Sequence, residues 1–218
     1  MSDSSADARG VIFDMDGVLI DSGAHHRDAW RLLLGDIGVE PPPEYWRLTI
    51  GRPAEEAVPL VLGRAVDRAE AVELAARKRD LYAQLAARGM LPIRGAPAFV
   101  AALAARTVPR AVATSASRRD VDTLLGELGL LRYFDIVVTA EDVQWGKPNP
   151  EVYLKAAAGL GLAPRRCLVF EDSLVGVHAA RNAGMRVIGL TTAHSGRELL
   201  AAGAERAIED FQGFLWPV

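Results

Sequence analysis

Five short apolar runs punctuate the chain, at 11–13, 110–114, 136–139, 167–170 and 187–190, each closed by small or polar residues. Runs this short and rich in Val, Ile and Phe predict strands covered on both faces. A weaker sixth lies near Ala207 and Ile208. Helical spacing fills the gaps. One helix is predicted over 96–106. A second runs over 118–128, with Ser117 and Asp120 spaced as a capping box and Gly129 as its stop. Asn149-Pro150-Glu151 opens a third, proline suiting the first turn. A fourth covers 175–183, and Ser195 with Glu198 caps a fifth. Strands alternating with helices predict an α/β fold, a doubly wound, Rossmann-like parallel sheet.

One crossover is too long. After residue 13 the next strand begins near 110, and the pattern between about 24 and 88 is helical throughout. Ala29, Leu33 and Ile37 share a face with His26 and Trp30; Leu74, Leu81 and Leu85 share another. A single crossover helix needs far fewer residues. The pattern therefore predicts an all-helical domain, 23–90, inserted into a core of 1–22 and 91–218. Pro41–Pro43 make a rigid turn inside it, and 89–94 return the chain to the sheet.

Composition narrows the function classes. The chain has 218 residues, half of them hydrophobic, and a net charge of -3. That suits a globular core with one insertion. Mild acidity argues against nucleic-acid or anionic-membrane partners, which require clustered positive charge. No apolar run approaches the roughly 20 residues that span a bilayer, and the polar first ten residues do not read as a signal peptide. The expected setting is a cytoplasmic monomer. The single cysteine, Cys167, lies inside an apolar run and reads as a buried structural thiol. Of 25 basic residues only Lys78, Lys147 and Lys155 are lysines, so each lysine stands out from an arginine background.

Ligands of open α/β sheets bind off the carboxyl ends of the strands. Chemistry is therefore expected in the residues just past each predicted strand. The first strand delivers Asp14-Met15-Asp16-Gly17, the second Thr114-Ser115-Ala116-Ser117, the third Gly146-Lys147-Pro148 within a dozen residues, and the fourth Glu171-Asp172-Ser173. Taken singly, each has a plain reading: a turn aspartate, a helix-cap serine, a solvated lysine, a polar loop. Together they place four acids, hydroxyls and a rare lysine on one sheet edge. Crowded carboxylates need a cation, and Mg2+ is the usual hard ion where phosphate is handled. Attack on a phosphate by Asp14 meets repulsion of roughly 4 kcal/mol at 4 Å and an effective dielectric of 20; Mg2+ and Lys147 would offset it. Asp16 can serve as general acid if its pKa is raised, and Ser115 can hold the non-transferred oxygens.

FDMDGVLIDS, ATSAS, GKPNPEVYLKAA and VFEDSLVGVHAARNAGMRVIGL together resemble the four motifs of the haloacid dehalogenase-like phosphohydrolases. The helical insertion resembles the cap of the subgroup holding β-phosphoglucomutase and small sugar-phosphate phosphatases. The resemblance implies Asp14 as nucleophile of an aspartyl-phosphate and as metal ligand. It implies Asp16 as acid/base with a metal-binding backbone carbonyl, Ser115 and Lys147 as phosphate clamp, and Asp172 with Glu171 as further metal-site residues. In the cap it implies substrate-side roles for His26, Arg52 and Lys78, and beside the core for Ser117 and Arg118. Ser22 and Arg118 replace a threonine and a lysine of the mutase pattern. The reaction this implies is Mg2+-dependent hydrolysis of a small sugar phosphate, with a β-phosphoglucomutase-like phosphomutase as the alternative. A phospho-accepting signalling receiver is the non-enzymatic rival; its acidic pair sits at the first strand and it carries no helical insertion there.

Overall fold

The computed structural model describes residues 9–217; most of the polar N-terminal stretch, 1–8, lies outside them. Six strands, β1 (Gly10–Phe13), β2 (Arg110–Ala113), β3 (Ile136–Val138), β4 (Cys167–Glu171), β5 (Arg186–Leu190) and β6 (Arg206–Ile208), form one parallel sheet in the order β3-β2-β1-β4-β5-β6. This is the doubly wound α/β fold that the alternation predicted. The weak sixth run is an edge strand with exposed and half-buried residues, which is why its apolar signal was faint.

Each inner strand shows its two faces to different helices. Val11, Phe13, Val112, Leu168 and Phe170 pack with α4 (Ala96–Ala105) and α5 (Arg118–Glu127). Ile12, Ala111, Ala113, Val169 and Val187 pack with α6 (Glu151–Gly159), α7 (Leu174–Asn182) and α8 (Gly196–Ala201). Phe13 and Phe170 stack across neighbouring strands, centroids 5.3 Å apart. Cys167 is buried, and burial pushes its thiol up to about 11, consistent with an inert core residue.

Caps fall where the sequence put them. Ser195 and Glu198 form a reciprocal capping box on α8. Ser117 accepts from the Asp120 backbone, but the Asp120 carboxylate takes the Ser117 hydroxyl instead of reaching back to the cap backbone. That half of the predicted box is absent.

Between β1 and α4 the chain forms α1 (Gly23–Asp36), α2 (Ala54–Leu62) and α3 (Arg68–Ala86). Trp30, Leu33, Leu34, Ala57, Val58 and Leu74 close an apolar cluster of their own. The α3 stripe differs from the expected one. Its buried face is Leu74, Ala75, Lys78, Tyr82 and Ala86, with Leu81 and Leu85 only partly covered. The buried line leads through a lysine and a tyrosine to the sheet edge. The two connecting segments run side by side: the Asp21 amide donates to the Leu91 carbonyl at 2.8 Å and the Ile93 amide to Leu19 at 3.0 Å. Among the described residues no helix is long and apolar enough to cross a membrane.

Candidate active site

The strand order reverses between β1 and β4, the switch point where open α/β sheets bind ligands. Asp14 leaves the end of β1 and Glu171 and Asp172 the end of β4. A cavity of about 440 Å³ opens over Asp14 and Asp172, with the helical insertion as its far wall; Glu171 lies beneath it. Gly17 makes the tight turn possible. Its φ is +70°, and a Cβ there would run into the Asp172 carboxylate.

Lys147 does not itself line the cavity; it lies buried directly behind Asp14. It is 1% exposed, and its ammonium donates to Asp14 Oδ1 at 2.8 Å and Glu171 Oε1 at 2.6 Å. Glu171 is itself fully engaged. Oε1 also accepts from the Tyr153 hydroxyl at 3.0 Å, and Oε2 from the Ser173 amide and hydroxyl at 2.7 and 2.9 Å. Those four donors occupy the four lone-pair positions a carboxylate offers.

One ammonium does not balance three buried acids. Burial raises Asp14 to about 7, against the lowering effect of Lys147 and with Glu171 and Asp16 adding to the rise. Asp172 is pushed well above the carboxylate range, by burial first and then by the charges of Glu171 and Asp14. Oxygens of Asp14, Glu171 and Asp172 lie within 4.8 Å of one another. An all-oxygen, under-compensated cluster is a donor set that fits a hard divalent cation. Asp14 and Asp172 have lone pairs to give it; those of Glu171 are taken.

Asp16 faces the insertion. Its Oδ1 accepts from Ser22 at 2.5 Å and from His26 Nε2 at 3.0 Å. His26 Nδ1 lies 2.7 Å from Lys78 Nζ. An ammonium only donates, so Nδ1 accepts and the ring proton sits on Nε2. Tyr82 stacks on the imidazole at 4.2 Å, nearly parallel. Burial alone would raise Asp16, but His26 and Ser22 hold it down to about 2. The raised value that a general acid would need is thus not found; Asp16 rests as a carboxylate. Lys78 is 6% exposed and, chiefly through burial, lowered to about 8. Burial also lowers His26.

Ser115 lines the cavity and donates to the Gly51 carbonyl of the insertion at 3.1 Å. Gly51, at φ +72°, packs so closely on Ser173 and Val175 that no side chain fits. Arg52 lines the same wall. Ser117 also lines the cavity but is spent capping α5. Arg118 is not part of the cavity wall; its guanidinium binds the Val137 carbonyl at 2.9 Å and Asp142 at 2.8 Å. Sequence patterns did not single out Tyr82, Tyr153, Thr192 or His194. Tyr153 stands within the GKPNPEVYLKAA segment; the others carry no spacing signal.

A family model for haloacid dehalogenase-like hydrolases matches residues 8–184. The chain belongs to the haloacid dehalogenase-like hydrolases. Within them it is 36% identical to the validoxylamine A 7'-phosphate phosphatase of Streptomyces hygroscopicus subsp. limoneus, over 95% of this chain and 96% of that one. It is 33% identical to the phosphorylated carbohydrates phosphatase of Thermotoga maritima, over 89% and 91% of the two chains. A solved hydrolase of family IA, variant 3, from Entamoeba histolytica superposes with a TM-score of 0.86 at 29% identity, covering 95% of this chain and 96% of that one. The four motifs fall inside or at the boundary of the matched span in this haloacid dehalogenase-like hydrolase.

Proposed function

We propose that this protein is a Mg2+-dependent phosphatase of a small phosphorylated sugar or related metabolite, working through an aspartyl-phosphate on Asp14. The observation that carries this reading is a single cavity lined both by Asp14, whose carboxylate is paired from behind by the Lys147–Glu171 pair, and by the Asp16–His26–Lys78 chain. The names of the phosphatase relatives point the same way. Asp14 and Asp172, with the Asp16 carbonyl, would hold Mg2+, which when bound neutralises charge on the phosphate oxygens. Glu171 instead orients Lys147.

An Asp14 oxygen attacks phosphorus in line as the bond to the sugar oxygen breaks. Lys147 and Ser115 hold the non-transferred oxygens, a phosphate oxygen taking the place of the Gly51 carbonyl on Ser115. Asp16 gives the leaving oxygen its proton. That proton reaches Asp16 along the chain: His26 passes its Nε2 proton to Asp16 and takes one from Lys78 at Nδ1, leaving all three neutral. In the second half Asp16, again a carboxylate, takes a proton from water, which attacks phosphorus and frees Asp14. The insertion, 23–90, acts as a cap that opens about the paired connectors, with Arg52 meeting the sugar. A cytoplasmic monomer is part of the same reading.

The test is a panel of sugar and polyol monophosphates, assayed for released phosphate and for isomerised sugar phosphate. Phosphate release equal to substrate loss is expected; isomerisation without release would make the protein a phosphomutase. Excess chelator should abolish turnover and Mg2+ restore it, while Ca2+, which fits the octahedral geometry poorly, should restore little. Full activity in chelator would refute the metal assignment.

Lys78→Met separates a relay from a substrate contact. The relay predicts a kcat loss of about 10²-fold on a sugar phosphate, little change in KM, and less than a few-fold change on p-nitrophenyl phosphate, whose phenolate leaves without a proton. A rise confined to KM would place Lys78 on the substrate instead.

A further inference from the structure

The turn Thr191–Ser195 between β5 and α8 contributes nothing to the steps above, yet it clasps the acid that follows β4. Asp172 stands just past the strand, where the ladder no longer holds the backbone. His194 Nδ1 lies 3.0 Å from its carbonyl oxygen. A carbonyl only accepts, so Nδ1 carries the proton and donates. His194 is only 7% exposed although it sits in a loop, and an imidazole is buried at low cost only when such a bond is made. Thr192 Oγ1 lies 3.2 Å from Asp172 Oδ2 and 2.7 Å from the carbonyl of Gly17. A Cβ on Gly17 would overlap the Asp172 carboxylate and approach Thr192 Oγ1 at 2.9 Å. The turn carrying Asp14 and Asp16, the Asp172 carboxylate and the Thr192 hydroxyl are therefore in mutual contact.

We propose that Thr192 and His194 are positioning residues: His194 fixes the Asp172 backbone, and the single Thr192 hydroxyl proton, shared between the nearer Gly17 carbonyl and the Asp172 carboxylate, ties that carboxylate to the β1 turn, so that Asp14 and Asp172 face one divalent cation. This rests on reading those two acids as the cation's ligands. Both residues act through Asp172 and neither touches the reacting atoms. Partners that orient metal ligands typically account for 10- to 100-fold in metal affinity.

The test uses the full chain and Mg2+ alone, without substrate, reading Kd from calorimetry and from the Mg2+ dependence of the melting temperature. Thr192→Val keeps the shape and loses the hydroxyl; it should weaken Mg2+ binding about tenfold or more. Thr192→Ser should stay within about twofold of wild type. His194→Ala should weaken binding similarly, and His194→Asn, whose amide nitrogen can reach the same carbonyl, should recover part of it. Without Mg2+, Thr192→Val should melt only slightly below wild type, by the loss of its one hydrogen bond to Gly17. The proposal is overturned if Thr192→Val and His194→Ala both bind Mg2+ within about twofold of wild type. A fall in Mg2+-free stability with unchanged affinity overturns it equally, since that is a structural role. A KM change on substrate with unchanged affinity would make Thr192 a substrate contact. If wild type itself binds no Mg2+, the phosphatase reading falls together with this one; binding by wild type that the substitutions leave intact removes the brace alone.

Discussion

Asp14→Asn is expected to lower phosphate release on the order of 10⁴-fold or more, because in the proposed reaction it removes the attacking oxygen anion itself. The fold should survive. Asn is nearly isosteric, and Lys147 keeps its bond to Glu171 at 2.6 Å. Stability should even rise slightly above neutral pH, since a carboxyl that burial holds at about 7 is unfavourable in its charged form there. The comparison is kcat and thermal melting of the two proteins side by side. A variant retaining more than about a hundredth of the wild-type rate would show that Asp14 does not attack phosphorus.

Lys147→Met is expected to damage both folding and activity. It leaves Asp14 and Glu171 buried without their shared cation, and breaking such a pair from one side costs about 3–5 kcal/mol. For a chain of this length that is a fall in Tm of about 10 °C. The pH dependence has a definite sign. Lys147 lowers the Asp14 pKa, so its loss raises that carboxyl further. A carboxyl raised in the folded state weakens folding above its unfolded pKa, and the penalty disappears as falling pH protonates it in both states. The stability deficit against wild type should therefore be larger at pH 8 than at pH 5. Adding Glu171→Gln should return part of the lost stability, because one of the two uncompensated charges is gone. A Lys147→Met protein with wild-type Tm at pH 8 would contradict the geometry of the site floor.

The sheet was legible because each inner strand is covered on both faces and so reads as an unbroken apolar run. The acids and Lys147 were legible because strand ends of a parallel sheet converge on one edge. What was not legible are features made by residues far apart in sequence. Lys78 stands out in the sequence as one of three lysines, but its partner is His26, 52 positions away, and no helical wheel contains that pairing. The stripe through Leu81 and Leu85 was drawn on hydropathy, whereas α3 buries Lys78 and Tyr82 because His26 and Asp16 give them something to bind or stack on. Glu171 and Asp172 are adjacent letters with different surroundings: four donors surround the first, while Thr192 and His194 hold the second. The carboxylate count showed that a cation was needed; which oxygens remain for it depends on Tyr153 and Ser173. A general acid at Asp16 calls for a raised pKa, and the bonds from His26 and Ser22 hold it low instead.

In the proposed reaction Asp14 carries the phosphoryl group between sugar and water. Hydrolysis in H2(17O) of a sugar phosphorothioate made chiral at phosphorus with 16O and 18O is the decisive measurement, because the released thiophosphate then carries sulfur and three different oxygens. Two successive in-line displacements, on Asp14 and then by water, predict net retention of configuration in that thiophosphate; net inversion would show a single direct attack by water and contradict the aspartyl-phosphate.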